Sequence, residues 1–97
     1  MAVNKIRVTI KVFAQFRELL KKNKIEMEIE NGADIFQVMK ALCSLYNIRD
    51  EIFDKNNEIK EWVKILKNGR QIKFLNGLKT KLEQGDEIAL FPPVSGG

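Results

Sequence analysis

Glu87-Ile88-Ala89-Leu90-Phe91-Pro92-Pro93-Val94-Ser95-Gly96-Gly97 is the stretch on which the fold turns. Glu87 to Phe91 reads as a strongly apolar strand. Pro92 and Pro93 stop it, because proline has no N–H to give to a sheet ladder. The remaining residues are small and finish on two glycines. Without Cβ, Gly96 and Gly97 fit a tunnel too narrow for a side chain. From Pro92 to Gly97 an extended chain covers roughly 20 Å, at about 3.3 Å per residue. That reach carries the Gly97 carboxylate out of its own domain and into another protein's active site. The expectation is a flexible tail over residues 92–97 with that carboxylate as the reactive group. The plain alternative is an inert chain end, since chain ends are commonly disordered.

Working outward, the strand before the prolines needs neighbours. Ile6, Val8, Ile10 and Val12 alternate with Arg7, Thr9, Lys11 and Phe13, which predicts a half-buried strand over residues 5–13. Phe16, Leu19 and Leu20 then fall at i, i+3 and i+4, the spacing of a short helix. Ile25, Met27 and Ile29 alternate with Glu26, Glu28 and Glu30, a second strand antiparallel to the first across a short link. Asp34 and Gln37 have the spacing of a capping box. Ile35, Val38, Met39, Leu42 and Leu45 come next on one helical stripe, so residues 35–46 form the main helix, with Asn47 as its stop. Arg49 to Glu61 reads as a polar loop carrying one helical turn. Trp62 to Lys67 is a third strand, and Asn68-Gly69 is a hairpin signal, because both residues tolerate positive φ. Gln71 to Phe74 returns as a short strand, Asn76-Gly77 breaks it, and Leu78 and Leu82 pack back on the core.

The first and last strands are the most apolar, so they are expected at the centre, adjacent and parallel. Phe13 and Phe91 then lie near each other, each out of phase with the core set of its own strand. They form an exposed apolar pair at the root of the tail, the kind of patch that marks a partner surface, unless the short helix covers them through Phe16.

With 97 residues, a single domain over 1–97 is expected. There is no histidine, the commonest general base and metal ligand, and Cys43 is the only cysteine. A self-contained catalytic site and a resident metal are therefore not expected, and Cys43 is read as a packing residue. The net charge is +4, but lysines and glutamates interleave along the chain, and no aromatic residue sits within Lys21-Lys22-Asn23-Lys24 to stack on bases. No nucleic-acid partner is expected. No apolar run approaches the roughly 20 residues of a membrane span, and the N-terminus lacks a secretory apolar region, so a cytoplasmic location and no membrane partner are expected.

Val12-Phe13-Ala14-Gln15-Phe16-Arg17-Glu18-Leu19 and Gly85 to Gly97, with Asn68-Gly69 between them, resemble the small subunit of molybdopterin synthase. The resemblance spans nearly the whole chain, with Arg49 to Glu61 departing from it. It implies an α+β, ubiquitin-like β-grasp fold: a mixed sheet with the main helix on one face and a Gly-Gly tail. It also implies a sulfur-carrier role. An adenylating partner uses ATP to convert Gly97 to an acyl-adenylate, a sulfur donor displaces AMP to leave a thiocarboxylate, and the synthase large subunit receives the tail. In that scheme Pro92, Pro93, Val94, Ser95 and Gly96 lie in the partner's channel, Phe13 and Phe91 dock partners, and no cofactor is permanently bound. Thiamin-type and tRNA-type sulfur carriers, and archaeal ubiquitin-like modifiers joined through the same tail to lysines, are the alternatives.

Overall fold

The computed structural model describes residues 4–61 and 63–91; the tail over 92–97, with the expectations placed on it, lies outside the described residues. The chain runs β1 (Lys5–Val12), α1 (Ala14–Leu20), β2 (Lys24–Glu30), α2 (Ile35–Tyr46), α3 (Arg49–Ile52), β3 (Lys64–Lys67), β4 (Arg70–Gln71) and β5 (Glu87–Phe91), with short 3-10 turns at Ile72–Phe74 and Gly77–Lys79. The five strands form one sheet in the order β2-β1-β5-β3-β4. β1 pairs antiparallel with β2 and parallel with β5, while β3 pairs antiparallel with both β5 and β4. The most apolar strands therefore are central and parallel, as their composition predicts. A parallel pair cannot be joined by a tight turn, and the chain between β1 and β5 includes the helices that cover the sheet.

One face of the sheet is closed. Val8, Ile10 and Val12 of β1 and Ile88 and Leu90 of β5 are fully buried, and they share one core with Ile35, Val38, Met39 and Leu42 of α2. The helix begins where the capping box predicts. The Asp34 carboxylate accepts from the Gln37 backbone N–H at 3.0 Å, and the Gln37 side chain accepts from the Asp34 N–H at 3.1 Å. Two orphan donors of the first turn are satisfied in this way. Asn47 ends the helix in the left-handed region at φ 56°, its N–H donating to the Cys43 carbonyl.

Three local expectations are corrected. Leu45, read as part of the core stripe of α2, is 68 % exposed: it falls at the outer margin of that stripe, and Cys43 on the other margin is the residue that packs inward. Leu19 of α1 is turned outward as well, leaving Phe16 and Leu20 to bury the helix. The return strand is only Arg70–Gln71, and Ile72–Phe74 is a 3-10 turn. An edge strand has one ladder to hold it. Here the buried Ile72 and the Thr80 hydroxyl, which accepts from the Asn76 N–H and donates to the Gly77 carbonyl, favour tight turns instead. The hairpin itself is as predicted, with Asn68 and Gly69 at φ 50° and 89°.

Arg49 to Glu61 contributes more to the core than its polarity suggests. Ile52 and Phe53 are buried, Phe53 bridges to Ile59, and Phe53 meets Phe36 of α2 edge to face at 5.9 Å. The Asp54 carboxylate accepts from the N–H groups of Asn56 and Glu58, and the Arg49 guanidinium donates to Asn57 and to the Asp54 carbonyl.

Candidate functional site

The parallel register of the central strands sets Ile10 beside Ile88 and Val12 beside Leu90. One residue further along each chain come Phe13 and Phe91. Their rings stack face to face, with centroids 4.4 Å apart and planes within 5°. Both are half-buried, and both lie out of phase with the core residues of their strands. Phe16, the cover in the alternative, is sunk in the core at 2 % exposure, while both rings stay half-buried. What α1 supplies is Arg17, whose guanidinium carbon lies 5.8 Å from the Phe13 ring centre, within cation–π range.

Phe13 owes its place to a backbone turn with no signature in the sequence. It is extended, at φ −133° and ψ 155°, and caps α1 without a side-chain hydrogen bond. Ala14 immediately after it takes φ 51°. Alanine in the left-handed region costs about 1–2 kcal/mol. The sharp change from strand to helix thus carries strain next to a half-exposed aromatic residue. No glycine marks the spot, so periodicity alone could not reveal it.

Phe91 is the last described residue, and the chain continues from it into Pro92. On its other side β3 places Lys64 directly opposite. The opposite end of β5 is tied down. The buried Asp86 carboxylate accepts from the Glu83 N–H at 2.7 Å and from the Asn68 amide at 2.9 Å, and Lys67 lies 3.6 Å away. The Asn68 side-chain oxygen accepts from the Glu87 N–H at 2.9 Å. Asn68, read from sequence only as a turn residue, therefore joins the hairpin tip to the start of β5. Sequence reasoning missed this knot, because Gln84-Gly85-Asp86 signals a turn but not its partner.

Little else among the described residues has the makings of catalysis. No group of three or more His, Cys, Asp or Glu residues could hold a metal there. Cys43 is buried, and desolvation pushes its thiol up to about 11 despite the opposing charge of Arg49. A thiol so placed is almost wholly protonated at neutral pH and is a poor nucleophile. No helix among the described residues is long and apolar enough to cross a membrane. The chemistry this arrangement supports is presentation: a fixed aromatic pair and the segment that leaves from it.

The pattern of the ThiS family matches residues 10–97. The chain is 33% identical over 92 residues to small archaeal modifier protein 3 of Haloferax volcanii, covering 95% of this chain and 100% of the relative. It is 31% identical over 89 residues to the molybdopterin synthase sulfur carrier subunit of Haemophilus influenzae, covering 88% and 93% of the two chains. The solution structure of small archaeal modifier protein 1 from Methanosarcina acetivorans superposes with a TM-score of 0.83 at 33% identity, covering 97% of this chain and 99% of that one. With a mixed sheet closed on one face by its main helix and a family pattern that runs from β1 through Gly97, this chain belongs to the ThiS family of ubiquitin-like β-grasp proteins.

Proposed function

We propose that the protein is a sulfur carrier and that Gly97 carries the reacting group. A carboxylate is a poor electrophile because its leaving group is oxide. In this reading an adenylating partner joins the Gly97 carboxylate to the α-phosphorus of ATP with loss of pyrophosphate. Hydrosulfide, HS−, released by a sulfur donor then forms the C–S bond while AMP departs with the electrons of the acyl C–O bond, and loss of the S–H proton to solvent leaves the thiocarboxylate. The resulting thiocarboxylate enters the large subunit of molybdopterin synthase, and its sulfur becomes part of the molybdopterin dithiolene. ATP belongs to the partner, and the carrier supplies neither acid nor base. Gly96 gives backbone clearance in the channel, and Pro92, Pro93, Val94 and Ser95 span it.

The observation that supports this most directly is the Phe13–Phe91 stack. It is an apolar, half-open platform on the residue immediately before Pro92. A partner seated there holds the residue that immediately precedes Pro92. A second reading, a protein modifier joined through Gly97 to lysine amines, is favoured by the 33% identity to an archaeal modifier over 95% of the chain. The intact mass of the protein recovered from its native cell separates the two. Replacement of one oxygen by sulfur at Gly97 is expected of the carrier, and branched lysine conjugates of the modifier. Deleting Gly97 is expected to abolish ATP-dependent adenylation in both cases while leaving the circular dichroism spectrum unchanged, because the core formed by the described residues lies upstream of Pro92. Gly96→Val keeps the carboxylate but is expected to obstruct the channel. A Gly97 deletion activated as well as the wild type would overturn both readings in favour of an inert tail.

A further inference from the structure

The segment Arg49 to Glu61, where the chain departs from the sequence resemblance, walls a cavity on the helical side of the molecule. The cavity volume is about 300 Å³, at the lower end of the range for small-molecule sites. One wall is α2. Phe36, Lys40, Cys43 and Ser44 fall at i, i+4, i+7 and i+8, a stripe along the flank of the helix beside the residues it buries in the core. The other wall is Arg49, Phe53 and Asn57, and the Phe36 and Phe53 rings meet edge to face between the two.

Each ring carries a cation. The Lys40 ammonium lies 5.4 Å from the centre of Phe36, and the Arg49 guanidinium carbon lies 5.9 Å from the centre of Phe53. The two cations are held differently. Arg49 donates to the Asn57 side-chain oxygen and to the Asp54 carbonyl, and Asp50 lies 3.5 Å from it. Those contacts close the loop, so the place of Arg49 has a structural reason. Lys40 is exposed and has no hydrogen-bond or ion-pair partner among the described residues. The charge of Arg49 is felt inside the cavity, where it opposes the rise of the buried Cys43 thiol. Asp50 offsets one of the two positive charges, and the Asp54 carboxylate is turned onto the N–H groups of Asn56 and Glu58. An aromatic wall and a net single positive charge are left facing the same hollow.

Water solvates the charge but not the wall, whereas an anion with an apolar body satisfies both. A carboxylate matches a single net charge; a phosphate dianion leaves one of its own charges uncompensated on desolvation. A flat body extends the edge-to-face packing already present. We propose that this cavity binds a small carboxylic acid with a flat apolar body, its carboxylate facing Lys40 and Arg49 and its body against Phe36 and Phe53. The proposal is independent of the carrier reading, because the cavity is bounded by α2 and the 49–61 segment and includes neither Phe13 nor Phe91.

The test is titration of the full chain with benzoate, followed by two-dimensional amide NMR. Saturable shifts are expected at Lys40, Cys43, Arg49 and Asn57. Acetate, which has the charge without the body, and benzylamine, which has the body with the opposite charge, are expected to give none. Lys40→Glu is expected to weaken benzoate binding about tenfold or more, the loss of one charge-assisted contact. Lys40→Gln is expected to lie between the two, with the spectrum elsewhere unchanged in both variants because Lys40 is exposed and holds no part of the fold. No saturable shift with benzoate, or equal affinity in wild type and Lys40→Glu, overturns the proposal. Equal shifts with benzylamine, or tighter binding of phenyl phosphate, overturn its choice of a carboxylate. Shifts given by the free peptide of residues 93–97 and not by benzoate assign the cavity to a chain terminus and overturn it as well.

Discussion

β5 has two faces. Ile88 and Leu90 point inward and are completely buried against the core shared with α2; Ala89 and Phe91 point outward and stay half-open. The backbone is the same and the residues are adjacent, yet the inner pair holds the molecule together while the outer pair is left open for the recognition proposed above. Alternation along a strand lets a chain of this size place its stability and its recognition within one pentapeptide. The two properties should therefore respond separately to substitution.

The widest separation is expected from Leu90→Ala. It empties a fully enclosed site in the middle of the sheet and should cost about 2–5 kcal/mol by urea unfolding. A loss below about 1 kcal/mol would mean that the inner face is not what holds the sheet to its helix. Phe91→Ala tests the other face. Losing the ring stack should lower stability by about 0.5–1.5 kcal/mol, while affinity for the adenylating enzyme and for the receiving subunit should fall by about 2 kcal/mol or more, as for a central aromatic anchor. Unchanged affinity for both would remove the functional meaning of the outer face.

Cys43 sharpens the comparison through pH. Its folded thiol titrates near 11, against 9.0 for an unperturbed one. Below 9 the thiol is protonated in both folded and unfolded chains and contributes no pH dependence. Between 9 and 11 the unfolded chain loses this proton first, so stability falls as pH rises. Wild type should therefore lose stability relative to Cys43→Ala across that window in parallel urea titrations, and the folded thiol should alkylate far more slowly at pH 8 than the same thiol in urea. Parallel titrations of the two proteins from pH 8 to 11 would show instead that the inner face does not reach Cys43.

The smallest effect is expected at Ala14. Replacing it with glycine relieves about 1–2 kcal/mol of left-handed strain and adds about 0.4–1 kcal/mol of unfolded-state entropy. Ala14→Gly should thus be slightly more stable than wild type, by about 0.5 kcal/mol on those two figures. A destabilised variant would show that the turn holding Phe13 is supported by the alanine methyl rather than strained by it.

Much of the fold was legible in the residues alone. The alternation of Ile6 to Val12 and of Ile25 to Ile29 names two strands, and Asp34 with Gln37 names the start of α2 almost to the residue. The Phe13–Phe91 contact was legible as well, because both residues break phase at the same end of strands expected to lie side by side. Leu19, Leu45 and Ile72 were not. A helical stripe has margins where apolar character alone does not say which way a side chain turns, and a two-residue edge strand is decided by tertiary contacts rather than by its own composition. The Asp86–Asn68 knot was hidden for a further reason: its members are 18 residues apart and are joined only once the hairpin has closed. The tail's role rests on the motif and the family, since the structure describes the chain only to Phe91.

The parallel pairing of β1 with β5 also has a mechanical consequence. A pull on the chain beyond Phe91, resisted at the start of β1, draws the two strands past each other along their length. The ladder between them is then loaded in shear, with Thr9 to Val12 and Glu87 to Leu90 sharing the force, rather than being opened one bond at a time from an end. The Asp86–Asn68–Glu87 hydrogen bonds anchor the trailing end of the same strand against that force. A load applied through the residues after Phe91 is thus shared across the ladder between the two central strands instead of falling on one hydrogen bond at a time.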